Sequence, residues 1–575
     1  MIKTSAVFVG NGSLLIQCAD AFTKAGHAIR AVASHNPTIL KWAGDQGFEC
    51  IVMESGVSLT MPALEFDYLF SVANLEVLPA GLIGRARKLA INFHDALLPR
   101  YAGLNATSWA LMAREKTHGV TWHEMLAAVD TGRIVRQTSF DIADGDTALS
   151  LNARCYEAGL QAFVSIAEDL RSGDLDLAPQ AGERSYFAKN RRPATWGTLD
   201  FHRPASELGA LVRALDFGQY PNPLALPKIY LGDSLGSVRS LRVLEKSSSS
   251  PPGTVLSVDG RTLRIATADD DVVVETSGTG REPVSPVNIV AGRVLPPLPE
   301  ALRLRISAQA KPVAAGEFFW LKAFAESTPV DFPYPRKNLS LHGKPNQRVR
   351  VALGLPAKGS GTVAAFAAWL SALTGQSRIS VSYCDSELLS QANGLEPWLS
   401  TWVPLTLETT ALASPAQCVK TSENQIRQVR EAGPYPRDLL LRQGDHSALE
   451  ARIPRIGVCL GEGAEPEGLE VVLTVDASGQ MLELLVDGAA YALETVNLMA
   501  SHAGNFIEHF QAAKSVAEVP LLTPVEMLAV STMNATSVPF ESDACVHGVI
   551  SSQAAAMPDH IAISWRGGDM SFGGA

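Results

Sequence analysis

Asn92 and His94 stand two residues apart in the run Ile91-Asn92-Phe93-His94-Asp95-Ala96-Leu97-Leu98-Pro99-Arg100-Tyr101-Ala102-Gly103. Residues 89–93 read as a strand, so at its end the amide and the imidazole share one face. An amide donates hydrogen bonds and an imidazole moves protons, a pairing that suits attack on a carbonyl. The amide stabilises the developing oxyanion, and the histidine serves either as base or as a second polar stabiliser. Downstream, residues 119–125 read as a strand and Val129-Asp130-Thr131-Gly132 as the turn after it. A carboxylate at Asp130 could return to the same crevice and orient or charge the histidine. Each residue alone has a plainer reading: strand-end histidines are commonly structural, and Asp-Thr-Gly is turn sequence. His118 and His123 are read as structural.

These residues need a scaffold that gathers strand ends. Residues 6–9 read as a short buried strand, followed by Gly10-Asn11-Gly12-Ser13 and by a helix over 14–25 with Gly26 at C′. Strands at 29–33 and 50–53 flank a short helix at 40–46, and 68–73 and 89–93 continue the alternation. This predicts an α/β fold with a doubly wound, mostly parallel sheet. The Gly10–Gly12 pair invites a dinucleotide reading, but a third glycine is lacking. Ser34-His35-Asn36 also stand where an acidic residue would be needed, so a tight βα turn is the simpler reading. Residues 148–170 read as a helix and 171–193 as a polar connector. Short strands at 228–231, 238–244, 254–258, 263–267 and 272–275 predict a small β-rich subdomain, with 247–253 an exposed loop. Pro296-Pro297-Leu298-Pro299 marks a second boundary.

At about 150 residues per domain, 575 residues predict three or four domains, and 46% hydrophobic residues supply several cores. A net charge of −11 with no long basic run disfavours nucleic-acid binding. The apolar run before Gly10 is too brief for a signal peptide, and the longest later one, 363–373, falls short of the ~20 residues that span a bilayer. Seven scattered cysteines without a CxxC pair argue against a disulfide framework or a metal site and suit a reducing compartment. The chain therefore reads as cytoplasmic.

The Asn-x-His pair, the Leu97-Leu98-Pro99-x-Tyr101-x-Gly103 loop and Val129-Asp130-Thr131-Gly132, in that order, resemble the formyltransferases that use 10-formyltetrahydrofolate. Methionyl-tRNA and amino-sugar formyltransferases belong to that family. The resemblance implies a catalytic domain over 1–190 and a β-rich C-terminal subdomain over 195–300. It implies Asn92, His94 and Asp130 as the catalytic trio. Val72, Ala73, Asn74, Ala96, Leu97, Leu98, Pro99, Leu126 and Val129 would border the folate, and residues 144–147 match an Asp-Thr-rich loop of the family. Two departures stand out. Ala96 replaces the family's serine, which removes a polar contact, and Leu104-Asn105-Ala106 replaces Arg or Pro of several relatives, which points away from a sugar-nucleotide acceptor. Residues 101–110, Tyr-Ala-Gly-Leu-Asn-Ala-Thr-Ser-Trp-Ala, look like formylation domains that open nonribosomal peptide synthetases.

The second half is similar, segment by segment, to the second lobe of a condensation domain. The segments are 317–324, Val330-Asp331-Phe332-Pro333-Tyr334-Pro335, 365–376, 402–405, Gly433-Pro434-Tyr435-Pro436-Arg437-Asp438 and 519–523. The His-His-x-x-x-Asp-Gly motif of a working condensation domain is absent, so 315–522 is expected to be an inactive α+β platform. His446 is read as structural. Residues 523–575 resemble a linker and the start of an adenylation domain, as at the front of a longer polypeptide. The resemblance thus implies an N-formyltransferase of a peptide-synthetase initiation module. Its acceptor would be an aminoacyl-phosphopantetheine thioester, and its partners the downstream adenylation and peptidyl-carrier domains. A formyltransferase for a free small amine and a non-catalytic docking scaffold are the rival readings.

Overall fold

The computed structural model describes residues 4–53, 64–171, 173, 175–276, 289–337, 348–444, 446–461, 466, 468–476, 480–539 and 543–574. Strand β1 (Ser5–Val9) is buried along its whole length, as expected of a strand covered on both faces. Ala6 and Phe8 pack with Phe22, Phe70, Trp122 and Phe163 on one face, while Val7 and Val9 pack with Ala31, Ala33 and Leu69 on the other. The turn into α1 (Ser13–Lys24) needs Gly10, because a Cβ there would lie 1.9 Å from the Val72 carbonyl oxygen.

The first domain continues with β2 (Ala28–Ser34), α2 (Pro37–Asp45), β3 (Glu49–Val52), β4 (Tyr68–Ser71), α3 (Ala80–Ile83) and β5 (Leu89–His94). It closes with β6 (Ala102–Gly103), α4 (Ala106–Met112), β7 (Thr117–Glu124), β8 (Ile134–Asp141) and α5 (Ala148–Asp169). Helix α2 starts three residues before the sequence reading places it, because Asn36 caps the Thr38 N–H with Pro37 at the first helical position. The seven strands run in the order β3-β2-β1-β4-β5-β7-β8. The first five are parallel to one another, and the β5–β7 and β7–β8 pairs are antiparallel. The crossover direction reverses between β1 and β4, so the carboxyl ends of β1, β4 and β5 border the crevice where such sheets bind ligands.

After β9 (Tyr186–Phe187), helix α6 (Ala205–Ala214) packs against an antiparallel sheet. Its strands are β10 (Lys228–Tyr230), β11 (Leu235–Val243), β12 (Val255–Asp259), β13 (Thr262–Ala266) and β14 (Asp271–Thr276), in the order β10-β11-β14-β13-β12. Helix α7 (Glu300–Glu326) then starts directly after its N-cap Pro299 and runs on through residue 315.

A third layer set comes next: β15 (Arg348–Pro356), α8 (Ser360–Thr374), β16 (Arg378–Asp385), α9 (Ser386–Ala392), β17 (Leu399–Ser400), β18 (Val403–Glu408), α10 (Pro415–Ala432) and β19 (Tyr435–Pro436). It ends with α11 (His446–Glu450), β20 (Ile456–Leu460), β21 (Val471–Val475), β22 (Met481–Asp487) and α12 (Leu493–Phe510). Its mixed sheet runs β15-β22-β21-β20-β16-β18, with α8 packed against both α10 and α12.

This layer set is joined to the β-rich subdomain by a buried ionic cluster. Asp438 pairs with Lys228 at 2.5 Å and Arg442 at 3.2 Å, and Glu317 of α7 pairs with Arg442 at 2.8 Å and Arg192 at 2.6 Å. Burial pushes the Asp438 carboxyl up, but Lys228 and Arg442 outweigh it and hold the group well below the usual carboxylate range. Trp398 adds a bond from its indole N–H to Thr198 Oγ1 at 3.1 Å.

Residues from Pro520 to Ala575 form a separate compact unit. It holds α13 (Pro524–Met533), α14 (Val546–Ala556) and the hairpin β23 (Ile561–Trp565)–β24 (Gly568–Ser571). Among the described residues, no helix is long and apolar enough to cross a membrane.

Candidate active site

Antiparallel pairing of β5 with β7 sets the centre of the site. Asn92 lies directly opposite His123 and His94 opposite Thr121. The Thr121 hydroxyl is fully buried and donates to the Ala96 carbonyl at 2.6 Å. It accepts from the Leu98 N–H at 3.1 Å and from Gln137 Nε2 at 2.9 Å. One side chain thereby pins the loop that follows the Asn-x-His pair.

His94 is 5% exposed, and its Nε2–H donates to the Tyr101 carbonyl at 2.9 Å. Nδ1 is then the ring's free acceptor in the neutral form. It faces two carboxylates, Asp130 Oδ2 at 3.7 Å and Asp95 Oδ1 at 3.9 Å. Asp130 sits in the left-handed region (φ 53°) and accepts the Gly103 N–H at 2.8 Å. Gly103 has to be glycine for this approach, since it lies at φ 99° with the Phe187 carbonyl oxygen 2.2 Å from where a Cβ would stand. Burial, the largest influence on Asp130, pushes its carboxyl up. The His123 bond, the nearby His94 and the Gly103 N–H together bring it down to about 2. Ala73, Tyr101 and Asp130, three non-glycine residues with positive φ, lie around this site, and backbone held this way is commonly found where geometry serves function.

Val72, Leu98 and Pro99 are buried, and Ala73 and Leu97 are half-buried. Asn74 is also half-buried and turns back on its own loop, with Nδ2 donating to the Glu76 carbonyl at 2.9 Å. Leu126 and Val129 are exposed beside the Asp130 turn. The Ala96 methyl points away from solvent into an apolar cluster with Tyr101, Trp109, Leu215 and Leu224, a setting that leaves a hydroxyl few partners. Residues 144–147 serve as a helix cap: Thr147 and Ser150 form a capping box at the start of α5, and Asp146 pairs with Arg154 at 2.5 Å. His446 is half-buried at the start of α11. Among the described residues, no group of three or more His, Cys, Asp or Glu side chains is placed to hold a metal ion.

Residues 6–167 match the formyl transferase family model, and residues 194–293 match the formyl transferase C-terminal domain. The chain carries the domains of a formyl-transfer enzyme. Asn92, His94 and Asp130 all fall inside the first match. Among solved structures, the chain is similar to WlaRD, a sugar 3N-formyl transferase crystallised in the presence of dTDP and 5-N-formyl-THF. That match has 16% identity and TM-score 0.38, and covers 48% of this chain and 100% of that one. It is also similar to an N-formyltransferase from Helicobacter canadensis in complex with folinic acid and dTDP-3-aminofucose, at 15% identity and TM-score 0.37 over 48% and 100% of the two chains. A third is HypX from Aquifex aeolicus in complex with tetrahydrofolic acid, at 17% identity and TM-score 0.35; the match spans 48% of this chain and 44% of HypX.

Within the formyl-transferase domain, the structure adds residues that the sequence reading passes over. His123, read as structural, is buried between two of the three candidate catalytic side chains. Its Nε2 lies 3.2 Å from Asn92 Nδ2 and 3.4 Å from Asp130 Oδ1. The polar connector after α5 is a brace. Gln180 Nε2 donates to the carbonyls of Asp130 (3.0 Å) and Gly132 (2.8 Å), and Ser185 Oγ accepts the Tyr101 N–H at 2.8 Å. The β9 pair Tyr186–Phe187 lies alongside β6. The adjacent His-Asp dipeptide is the available signal for Asp95; nothing in the local sequence marks Gln180 or Ser185.

Proposed function

We propose that this chain moves a formyl group from 10-formyltetrahydrofolate to the amine of an aminoacyl thioester held on a phosphopantetheine carrier, as the initiating formylation step of a nonribosomal peptide synthetase. The observation that carries the chemistry is the convergence of Asn92, His94 and Asp130 at the carboxyl end of a doubly wound sheet, inside residues matched to formyl transferases. The folate assignment rests on the Asn-x-His, Leu-Leu-Pro and Asp-Thr-Gly resemblance. Of the residues that resemblance assigns to the folate, Ala73, Asn74 and Leu97 are half-buried, and Leu126 and Val129 expose apolar surface.

The bound donor supplies a formyl carbonyl. Around it, Asn92 places an amide N–H to stabilise charge developing on the carbonyl oxygen. His94, with Nε2–H committed to the Tyr101 carbonyl, acts first through Nδ1, which takes the proton released by the attacking amine. The imidazolium that results has Asp130 on one side, already ionised and fixed by the Gly103 N–H, so positive charge on the ring is favoured where it forms. Only this protonated form has an Nδ1–H to offer the oxyanion, and as the adduct collapses and the formyl C–N10 bond of the donor breaks, the same proton passes to N10, releasing tetrahydrofolate and restoring the neutral ring.

The carrier-bound acceptor is supported by the resemblance of residues 101–110 to synthetase formylation domains and by the character of the second half of the chain. On this reading 315–522 is the second lobe of a condensation domain kept as a platform, and 523–575 the start of an adenylation domain. Intact mass spectrometry of a carrier domain loaded with a panel of amino acids and incubated with this chain and 10-formyltetrahydrofolate tests it. Gain of one formyl group on the carrier, absent with His94→Ala, supports carrier-dependent formylation. Formylation of free amino acids alone moves the acceptor to a small amine, and no transfer to either leaves a scaffold.

A further inference from the structure

His123 is buried, is offset from its neighbour Trp122 by a β-bulge, and has both ring nitrogens committed. Nδ1 lies 2.8 Å from the Glu124 carbonyl oxygen, a pure acceptor, so Nδ1 carries a proton and donates it there. In the neutral ring Nε2 is then an acceptor, and it receives the Asn92 Nδ2–H at 3.2 Å; only when the ring is protonated does Nε2 carry a hydrogen to donate to Asp130 Oδ1, 3.4 Å away. The chain of bonds runs one way: Asn92 amide to His123 Nε2, His123 Nδ1–H to the Glu124 carbonyl. It determines which end of the Asn92 amide is nitrogen at the strand end, and it leaves the second N–H of that nitrogen unspent by this bond. With the amide turned over, Asn92 Oδ1 would face an unprotonated Nε2, two acceptors in contact.

We infer that His123 is a positioning residue for formyl transfer: as a neutral ring anchored on the Glu124 carbonyl, it holds the Asn92 amide with its donor end toward the reacting carbonyl. The inference rests on the formyl-transfer reading and deepens it. His123 takes no proton from substrate in this scheme and acts only through Asn92.

Two substitutions separate this role from simple packing. His123→Gln can place an acceptor oxygen where Nε2 stands and so keep hold of Asn92. His123→Asn can keep a donor near the Glu124 carbonyl but is too short to reach Asn92. Misorienting one oxyanion donor loses part of the 10²–10³-fold that removing it costs, so His123→Asn should lower kcat by about tenfold to a hundredfold with KM for the donor little changed. His123→Gln should stay within about threefold of wild type, and in an Asn92→Ala background both substitutions should cost less than about threefold, because the group they position is gone. Melting curves of each variant report folding. Equal losses in Gln and Asn, or full additive losses in the Asn92→Ala background, would overturn the inference. Absence of transfer by the wild-type chain would instead fail the reading on which it rests.

Discussion

Asp130→Asn removes one charge at nearly constant shape, and the structure sets the size and direction of the effect. The carboxylate is 8% exposed, accepts the Gly103 N–H at 2.8 Å, and has its two oxygens 3.7 Å from His94 Nδ1 and 3.4 Å from His123 Nε2. Burial raises its pKa, and the two histidines with the Gly103 N–H more than offset this, taking it from an ordinary 3.8 to about 2. At about 1.4 kcal/mol per pKa unit, that depression amounts to about 2.5 kcal/mol of stability where both histidines are charged. Because the folded value is the lower one, the stabilisation is fully present above about pH 4 and disappears as the pH falls toward 2. Asparagine still accepts the Gly103 N–H, so about 2.5 kcal/mol is the ceiling for the difference between wild type and variant. Urea unfolding at a series of pH values should show that difference near pH 5 and its closure between pH 4 and 2. Formyl transfer should fall by about 10²–10⁴-fold, since the imidazolium loses its counter-charge. A stability gap that widens in acid, or a variant that turns over within about threefold of wild type, would refute this account of Asp130.

Asn92→Ala should cost about 10²–10³-fold and His94→Ala about 10²–10⁴-fold in kcat, with each variant still folded and melting cooperatively; near-wild-type rates in either would remove that residue from the reaction. Thr121→Val strands the buried Leu98 N–H and loosens the loop over residues 96–99, so it should lower stability by about 1–3 kcal/mol and raise KM for the formyl donor. Asp438→Ala leaves Lys228 and Arg442 buried without their carboxylate and should destabilise the chain by about 3–5 kcal/mol in denaturant titrations. Replacing both Lys228 and Asp438 with apolar residues should cost much less than the single change.

The first domain is legible in the sequence because its strands announce themselves. Ala6-Val7-Phe8-Val9 is apolar on both faces, and the Asn-x-His spacing places two polar groups on one side of a strand end. His123 is not legible, because its meaning comes from β5–β7 register, which sets it opposite Asn92 from thirty-one residues away. The connector between α5 and the β-rich subdomain reads as passive for a similar reason. Gln180 works through backbone carbonyls, which carry no sequence signature. Lys228, Glu317 and the Asp438–Arg442 pair lie far apart in sequence, and only the fold brings them together in a buried junction. The run Pro296-Pro297-Leu298-Pro299 reads as a domain boundary. Its last proline is the N-cap of a helix that continues past Pro312, so these prolines also mark a helix start.

The most direct test of the central claim is a single-turnover reaction with 10-formyltetrahydrofolate carrying ¹³C in the formyl group, followed by mass spectrometry of an aminoacyl-loaded carrier. The account predicts that the wild-type chain delivers the label to the amine, and that Asn92→Ala, His94→Ala and Asp130→Asn, each folded, deliver it at least about a hundredfold more slowly. Label transferred equally well by all four proteins would place the chemistry somewhere other than the Asn92-His94-Asp130 cluster.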